Sequence, residues 1–255
     1  MQMDAFDNYR RMLAAPDDGL VAWWYLGETL CELEGWPTMP TLQAETVMVY
    51  RTETLDADSF RIHWWEIGYF RDPITGDIAD KWRNPITGRE ASAPKWFEEG
   101  PAHYTVKRVA GGIEVDLVQP QAIVKSVVPA FYQAFGQVHL LQTERKARSF
   151  PQPDGSIPAP DSEQSADAVT KLSVYASQAD LNSGSAWVDC TGSYSFALAT
   201  LPAWLGFGEV AGRSVTHGRM QKAKIDAPLN PLAWARLQAL LPAYFDDGRI
   251  KPKWS

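Results

Sequence analysis

Residues 61–100 read RIHWWEIGYFRDPITGDIADKWRNPITGREASAPKWFEEG, and one phrase occurs in them twice: Asp72-Pro73-Ile74-Thr75-Gly76 and, twelve residues on, Asn84-Pro85-Ile86-Thr87-Gly88. Each copy is a turn with a mechanism. The Asp or Asn side chain accepts from backbone amides ahead of it, Pro presets φ near about −65°, and Gly ends the turn where φ can be positive. The spacing predicts a strand over Arg61–Arg71, a turn, a short strand over Ile78–Arg83, a second turn and a further extended segment, which together make a β-meander. Arg61–Arg71 carries His63, Trp65, Ile67 and Tyr69 on one face and Ile62, Trp64 and Phe70 on the other. A strand apolar on both faces is covered on both, so it belongs in the middle of the architecture. Gly68 within it fits a bend where a sheet curls towards a barrel.

Outward from this stretch the chain is strand after strand. Leu20–Cys31 is rich in β-formers, with Gly27 marking a bulge; Leu42–Glu53 follows, and Asp56-Ala57-Asp58 turns into the central strand. Ala102–Val109 and Ile113–Val118, joined across Ala110-Gly111-Gly112, read as a hairpin. Ala122–Val128, Gln137–Arg148 (with Val138, Leu140 and Gln142 turned inward), Lys171–Ser177, Ala186–Leu198 and Arg213–Lys224 are further strands. Residues 4–15 suit a short helix capped by Asp4, with Phe6, Tyr9 and Leu13 on one face and Pro16 ending it. The last helix opens on Asn230 with Pro231 at its first position, carries Leu232, Leu237, Leu240, Leu241 and Trp234, and stops at Pro242. Prolines, serines and acidic residues concentrate in 150–168, which reads as a long mobile loop within one domain rather than a linker between two.

The expected fold is therefore mainly β: an antiparallel meander closing into a calycin-like β-barrel or a strongly curled sheet, with short helices at both termini. There is no βαβ alternation to suggest anything else.

Composition narrows the function classes. A net charge of −7 and the lack of a basic stripe argue against nucleic acid as a partner. Cys31 and Cys190 are far apart and belong to no CxxC pair, so they read as buried reduced thiols. No HxH, HxxxH, HExxH, GxSxG, GxGxxG or P-loop pattern occurs, so neither a metal nor a nucleotide cofactor is expected. The N-terminus lacks the pattern of a signal peptide, and no run approaches the length of a membrane span, which leads to the expectation of a cytoplasmic protein without a membrane span.

Eleven tryptophans are the unusual feature. Such a load either packs a core or lines a cavity. His63, Trp65 and Tyr69 share a strand face and, with Trp24 and Trp82, are the candidate lining for a small hydrophobic or aromatic ligand. Among titratable groups, Glu66 and His63 are the candidates for acid–base chemistry. Their odd spacing points them to opposite faces unless a bulge resets the register. A Glu66 paired with Arg61 or Arg71 is the structural alternative to a catalytic one. Three functions stay open: a binding protein, an enzyme acting on such a molecule, and a structural or oligomer-forming protein, for which a homodimer is the simplest form.

The run Glu66…Tyr69…Asp72-Pro73…Thr75-Gly76…Trp82…Asn84-Pro85…Thr87-Gly88 resembles the signature of the DUF1838 proteins, a bacterial and fungal family of unknown function. Leu201-Pro202-Ala203-Trp204, Gly206, Gly208, Gly212 and His217-Gly218 resemble that family's C-terminal block, as does Pro242-Ala243-Tyr244. After the second turn the chain departs from the family pattern, continuing as Ala93-Pro94-Lys95-Trp96. The resemblance implies one domain over nearly the whole chain and assigns no activity, substrate or catalytic residue.

Overall fold

A computed structural model describes residues 4–15, 17, 19–91, 94–150, 159–162, 165–225, 228–252 and 254. In chain order it contains helix α1 (Ala5–Leu13), strands β1 (Leu20–Leu33), β2 (Met39–Thr54) and β3 (Ser59–Arg71), two-residue strands β4 (Trp82–Arg83) and β5 (Glu90–Ala91), and β6 (Phe97–Val109). Then come β7 (Gly112–Val118), β8 (Ala122–Ala134), β9 (Gln137–Arg148), β10 (Ala166–Ser177), helix α2 (Gln178–Asn182), β11 (Cys190–Leu198), β12 (Gly212–Lys224) and helix α3 (Pro231–Leu240). The hairpin of β13 (Phe245–Asp246) and β14 (Arg249–Ile250) follows α3.

Ten strands form one antiparallel sheet in the order β7-β6-β3-β2-β1-β12-β11-β10-β9-β8. Its edge strands β7 and β8 come back beside one another without a hydrogen-bonded ladder between them, so the sheet is a nearly closed barrel. Long ladders run through it: β1 pairs without a break with β12 on one side and, through a register shift between Glu28 and Leu30, with β2 on the other. The central position expected for β3 holds, between β2 and β6. At Gly68 an added Cβ would come within 2.6 Å of Phe97 and 2.9 Å of the Glu45 carbonyl, so the strands pack closely there.

The doubled phrase folds differently from the expected meander. Ile78 makes only a bridge to Arg71, and Trp82–Arg83 pairs with Glu90–Ala91 in a separate small sheet. Ile78–Arg83 is therefore not a strand of the barrel. Both copies nevertheless make the turn their residues dictate. Asp72 Oδ1 accepts from the amides of Ile74 (2.7 Å) and Thr75 (2.9 Å), and Asn84 Oδ1 does the same for Ile86 and Thr87 at 2.9 Å each. Gly76 and Gly88 take φ of 74° and 68°. Each turn closes on itself, Asp72 to Asp77 and Asn84 to Arg89, through backbone hydrogen bonds. These self-contained knots leave little extended chain between them, so the segment makes an excursion over one end of the barrel instead of crossing the sheet.

The opposite end is closed by α1. Asp4 caps it by accepting from the Phe6 and Asp7 amides, and Phe6, Tyr9, Met12 and Leu13 are buried. The Trp23 indole donates to the Leu13 carbonyl (2.7 Å), Thr52 to the Ala15 carbonyl (2.6 Å), and the Lys222 ammonium to those of Arg11 (2.6 Å) and Ala14 (2.7 Å). Burial lowers the Lys222 pKa to about 8. Pro16 and the stretches 151–158 and 163–164 of the expected mobile loop lie outside the described residues.

Asn230 caps α3 by accepting from the Ala233 amide (3.1 Å). Ala233, Leu237 and Leu241 pack on the outer face of the barrel with Ala22, Val47, Val49, Trp65 and Ile67, whereas Leu232 is exposed rather than part of the stripe. Among the described residues no helix is long and apolar enough to cross a membrane, and no group of three His, Cys, Asp or Glu residues could hold a metal ion.

Candidate functional site

The inner surface of β9 decides the character of the interior. Its alternate residues Gln142, Glu144, Lys146 and Arg148 all point inward and are buried. They are satisfied in a chain. Tyr9 donates to Gln142 (2.6 Å), Gln142 and Tyr104 donate to Glu144 Oε1 (2.9 and 2.8 Å), and Lys146 donates to Glu144 Oε2 (3.2 Å) and to Gln119 (3.0 Å). Burial, with the Glu144 charge nearby, holds the Tyr9 and Tyr104 phenols well above their usual range. This network fills the middle of the barrel.

Beyond it, towards the end covered by the excursion (72–91 and 94–96) and by residues 199–211, lies a cavity of about 810 Å³. Phe70, Phe97, Phe150, Tyr194, Phe196 and Trp204 give it aromatic walls, and Glu66, Glu99 and Arg148 are its inner charged groups. Arg148 donates to Glu99 and lies over the rings of Phe150 (5.2 Å) and Phe196 (5.3 Å). Phe70 packs against Phe97 and Trp204, each at 5.1 Å between ring centroids.

Glu66 faces this space from β3. Burial, then the neighbouring Glu99 charge, raises its pKa to about 8; the Thr46 hydroxyl and the Arg148 and Lys146 charges act the other way. Both cations are engaged elsewhere, Lys146 with Glu144 and Arg148 with Glu99. The alternative of a Glu66 paired with Arg61 or Arg71 is not what forms: Arg61 meets Glu53 (3.4 Å) and Arg71 meets Glu45 (2.7 Å).

A register shift brings Glu99 opposite Glu66. Trp64 pairs with Ala102 but Glu66 with Glu99, so β6 carries one extra residue at Gly100-Pro101. Odd-numbered Phe97 and Glu99 line the cavity before the bulge, and even-numbered Ala102, Tyr104 and Val106 face inward after it. Gly100 takes φ of 99°, in the left-handed region that a side chain disfavours.

His63, Trp65 and Tyr69 do share a face, but it is the outer one, so the expectation that they line the cavity is corrected. The Trp65 indole donates to Glu98 Oε1 (2.8 Å), and Tyr244 donates to the other oxygen of that carboxylate. Tyr69 donates to Glu45, which also meets Arg71 and, at 3.6 Å, Arg236 of α3. Both aromatics thus fasten the C-terminal segment to the barrel, and each fully buried ring contributes about 2–3 kcal/mol. His63 meets Glu53 (2.7 Å) and packs beside His103, on the opposite side of β3 from Glu66, so the two acid–base candidates do not converge. Trp24 packs against Trp234 with the rings tilted at 51° (5.7 Å between centroids) and borders a second recess, of about 640 Å³. Trp82 packs on Phe207 (5.9 Å) in the apolar cluster under the excursion. Of the candidate site residues His63, Trp65, Tyr69, Trp24, Trp82 and Glu66, Glu66 is the one that lines the cavity.

No protein-family model matches the chain, and no curated protein matches it. Among solved structures, the 12:0-ACP thioesterase from Umbellularia californica is similar at 11% identity over 84% of this chain and 76% of its own, with a TM-score of 0.10, too low to carry an argument.

Proposed function

We propose that this protein binds a small hydrophobic or aromatic molecule in the cavity at the excursion-covered end of the barrel. The observation that carries it is the cavity itself: about 810 Å³, the size of a small-molecule site, walled by Phe70, Phe97, Phe150, Tyr194, Phe196 and Trp204, with a few charged groups at its inner end. A barrel interior otherwise filled by close-packed side chains has no packing reason to leave such a volume open.

A second reading is acid–base catalysis on the bound molecule. Glu66 favours it, because a carboxyl with its pKa raised to about 8 can exchange a proton near neutral pH. The buried free thiols Cys31 and Cys190 support a reducing, cytoplasmic location, and the doubled turn motif supports placing the chain with the DUF1838 proteins.

The test is titration with the neutral apolar dye N-phenyl-1-naphthylamine, alongside native mass spectrometry of protein purified from its own host. Saturable dye fluorescence that is lost in Ala44→Phe, a substitution in the cavity wall, with an unchanged circular dichroism spectrum, is the expected result. A wild-type protein that carries no passenger and does not saturate with the dye would sink the proposal.

A further inference from the structure

We propose that the cavity takes an amphipathic amine, with its ammonium on Glu66 and its apolar body among the aromatic walls. This rests on the cavity being a ligand site. Three observations converge on a cationic head. First, Glu66 is a carboxyl turned into the cavity without an ion-pair partner among the described residues, since the cations nearest to it are held by Glu144 and Glu99. Second, the charged groups at the inner end of the cavity are two carboxyls, Glu66 and Glu99, against one guanidinium, Arg148; of the other acidic residues on its lining, Glu98 turns its carboxylate outward to Trp65 and Tyr244, and Glu90 meets Lys81. Third, its rings already hold a cation: the Arg148 guanidinium lies 5.2 Å from the centre of Phe150 and 5.3 Å from that of Phe196. Aromatic faces attract cations through their quadrupoles, and a carboxylate beside them completes an ammonium site. An anionic head would have to displace Glu99 from Arg148 and then sit beside Glu66.

The groups that face Glu66 set its proton. Glu99 lies across from it on β6, Arg148 and Lys146 on β9, Thr46 on β2, and its charge is felt by the phenols of Tyr25 on β1, Tyr50 on β2 and Tyr194 on β11. These phenols stay neutral, raised above their usual range by burial. Near neutral pH Glu66 therefore holds its proton in the empty cavity and releases it to solvent when an ammonium arrives. Amine binding then couples to proton release, and affinity rises with pH up to about 8.

Isothermal titration with three naphthalene probes tests this: 2-(aminomethyl)naphthalene, 2-naphthylmethanol and 2-naphthoate. The amine is expected to bind about tenfold or more tighter than the alcohol, with the carboxylate weakest. Titrations at pH 7 in buffers of different ionisation enthalpy should show a proton released with the amine and none with the alcohol. Glu66→Gln should abolish both the amine preference and the proton release while leaving the alcohol affinity in place. An amine that binds no tighter than the alcohol, or a preference that survives Glu66→Gln, overturns the inference and leaves the cavity proposal standing. Failure of all three probes overturns both. Should Glu66→Gln fail to fold, proton release in the wild type decides alone.

Discussion

Replacing Glu144 by Leu should be among the most destabilising single changes available in this barrel. The carboxylate is almost fully enclosed (2% exposed) and accepts from Tyr104, Gln142 and Lys146, the last itself only 3% exposed. Glu144→Leu leaves the Lys146 ammonium with Gln119 alone, a buried charge without its counter-charge, at a cost of about 3–5 kcal/mol. The Tyr104 hydroxyl also loses its acceptor, which costs about 1–3 kcal/mol more, and the two losses overlap because they share one site. A total on the order of 5 kcal/mol corresponds to a fall in Tm of roughly 10–20 °C for a chain of this size. Thermal unfolding by circular dichroism and urea titration by tryptophan fluorescence measure it. The companion variant Glu144→Leu with Lys146→Met removes both charges and should recover most of the loss, because an apolar pair can replace a buried ion pair at little cost. A single variant that loses less than about 1 kcal/mol, or a double variant no better than the single, would refute the reasoning.

The two copies of the turn phrase should respond unequally to the same change. Asn84 is fully buried and adds to its two accepted amides a bond from Nδ2 to the Leu205 carbonyl (2.9 Å), so Asn84→Ala should cost about 2–4 kcal/mol in urea titration; Asp72→Ala, at a turn with exposed Pro73 and Ile74, should cost about 1 kcal/mol. Equal costs would contradict this account of the excursion. Glu66 supplies a pH test of sign: its folded pKa of about 8 lies above the ordinary 4.5, so the folded state binds more protons between these values and stability falls as pH rises through that window. Glu66→Gln should flatten the fall between pH 5 and 8, as read by urea midpoints at each pH; parallel curves for the two proteins would rule out the raised carboxyl.

Much of the fold can be read along the chain because turn chemistry and alternation are local. Asp4 and Asn230 cap the helices they precede, Arg61–Arg71 lies within the sheet, and the doubled phrase makes two turns of the same design. Val138 and Leu140 gave β9 its direction, and Gln142 lies inward as expected. Beyond Gln142 the signal fades, because Glu144, Lys146 and Arg148 alternate with Thr143, Arg145 and Ala147 and both sets are largely polar, so only tertiary packing shows three charged side chains continuing on the inner face. The candidate site suffered more. Trp65 and Tyr69 look like a cavity lining because bulky aromatics cover both faces of β3, and the C-terminal segment that claims the outer face arrives more than 150 residues later in the chain. Glu99 could be found only by placing a bulge at Gly100-Pro101, where the sequence offers a glycine and a proline but not the shift of pairing.

The closure of one barrel end by α1 makes the interior a cup and not a tunnel. Phe6, Tyr9 and Leu13 form its base, with the Gln142–Glu144–Lys146 chain above them, so the proposed ligand would be reached from the excursion side. In the proposed reading, a molecule leaving on that side would pass Trp96, Arg89 and Trp204, which line the cavity. Occupancy and exchange are then properties of the same few residues, and substitutions at the rim would alter arrival and departure together, leaving the depth of the cup to set affinity.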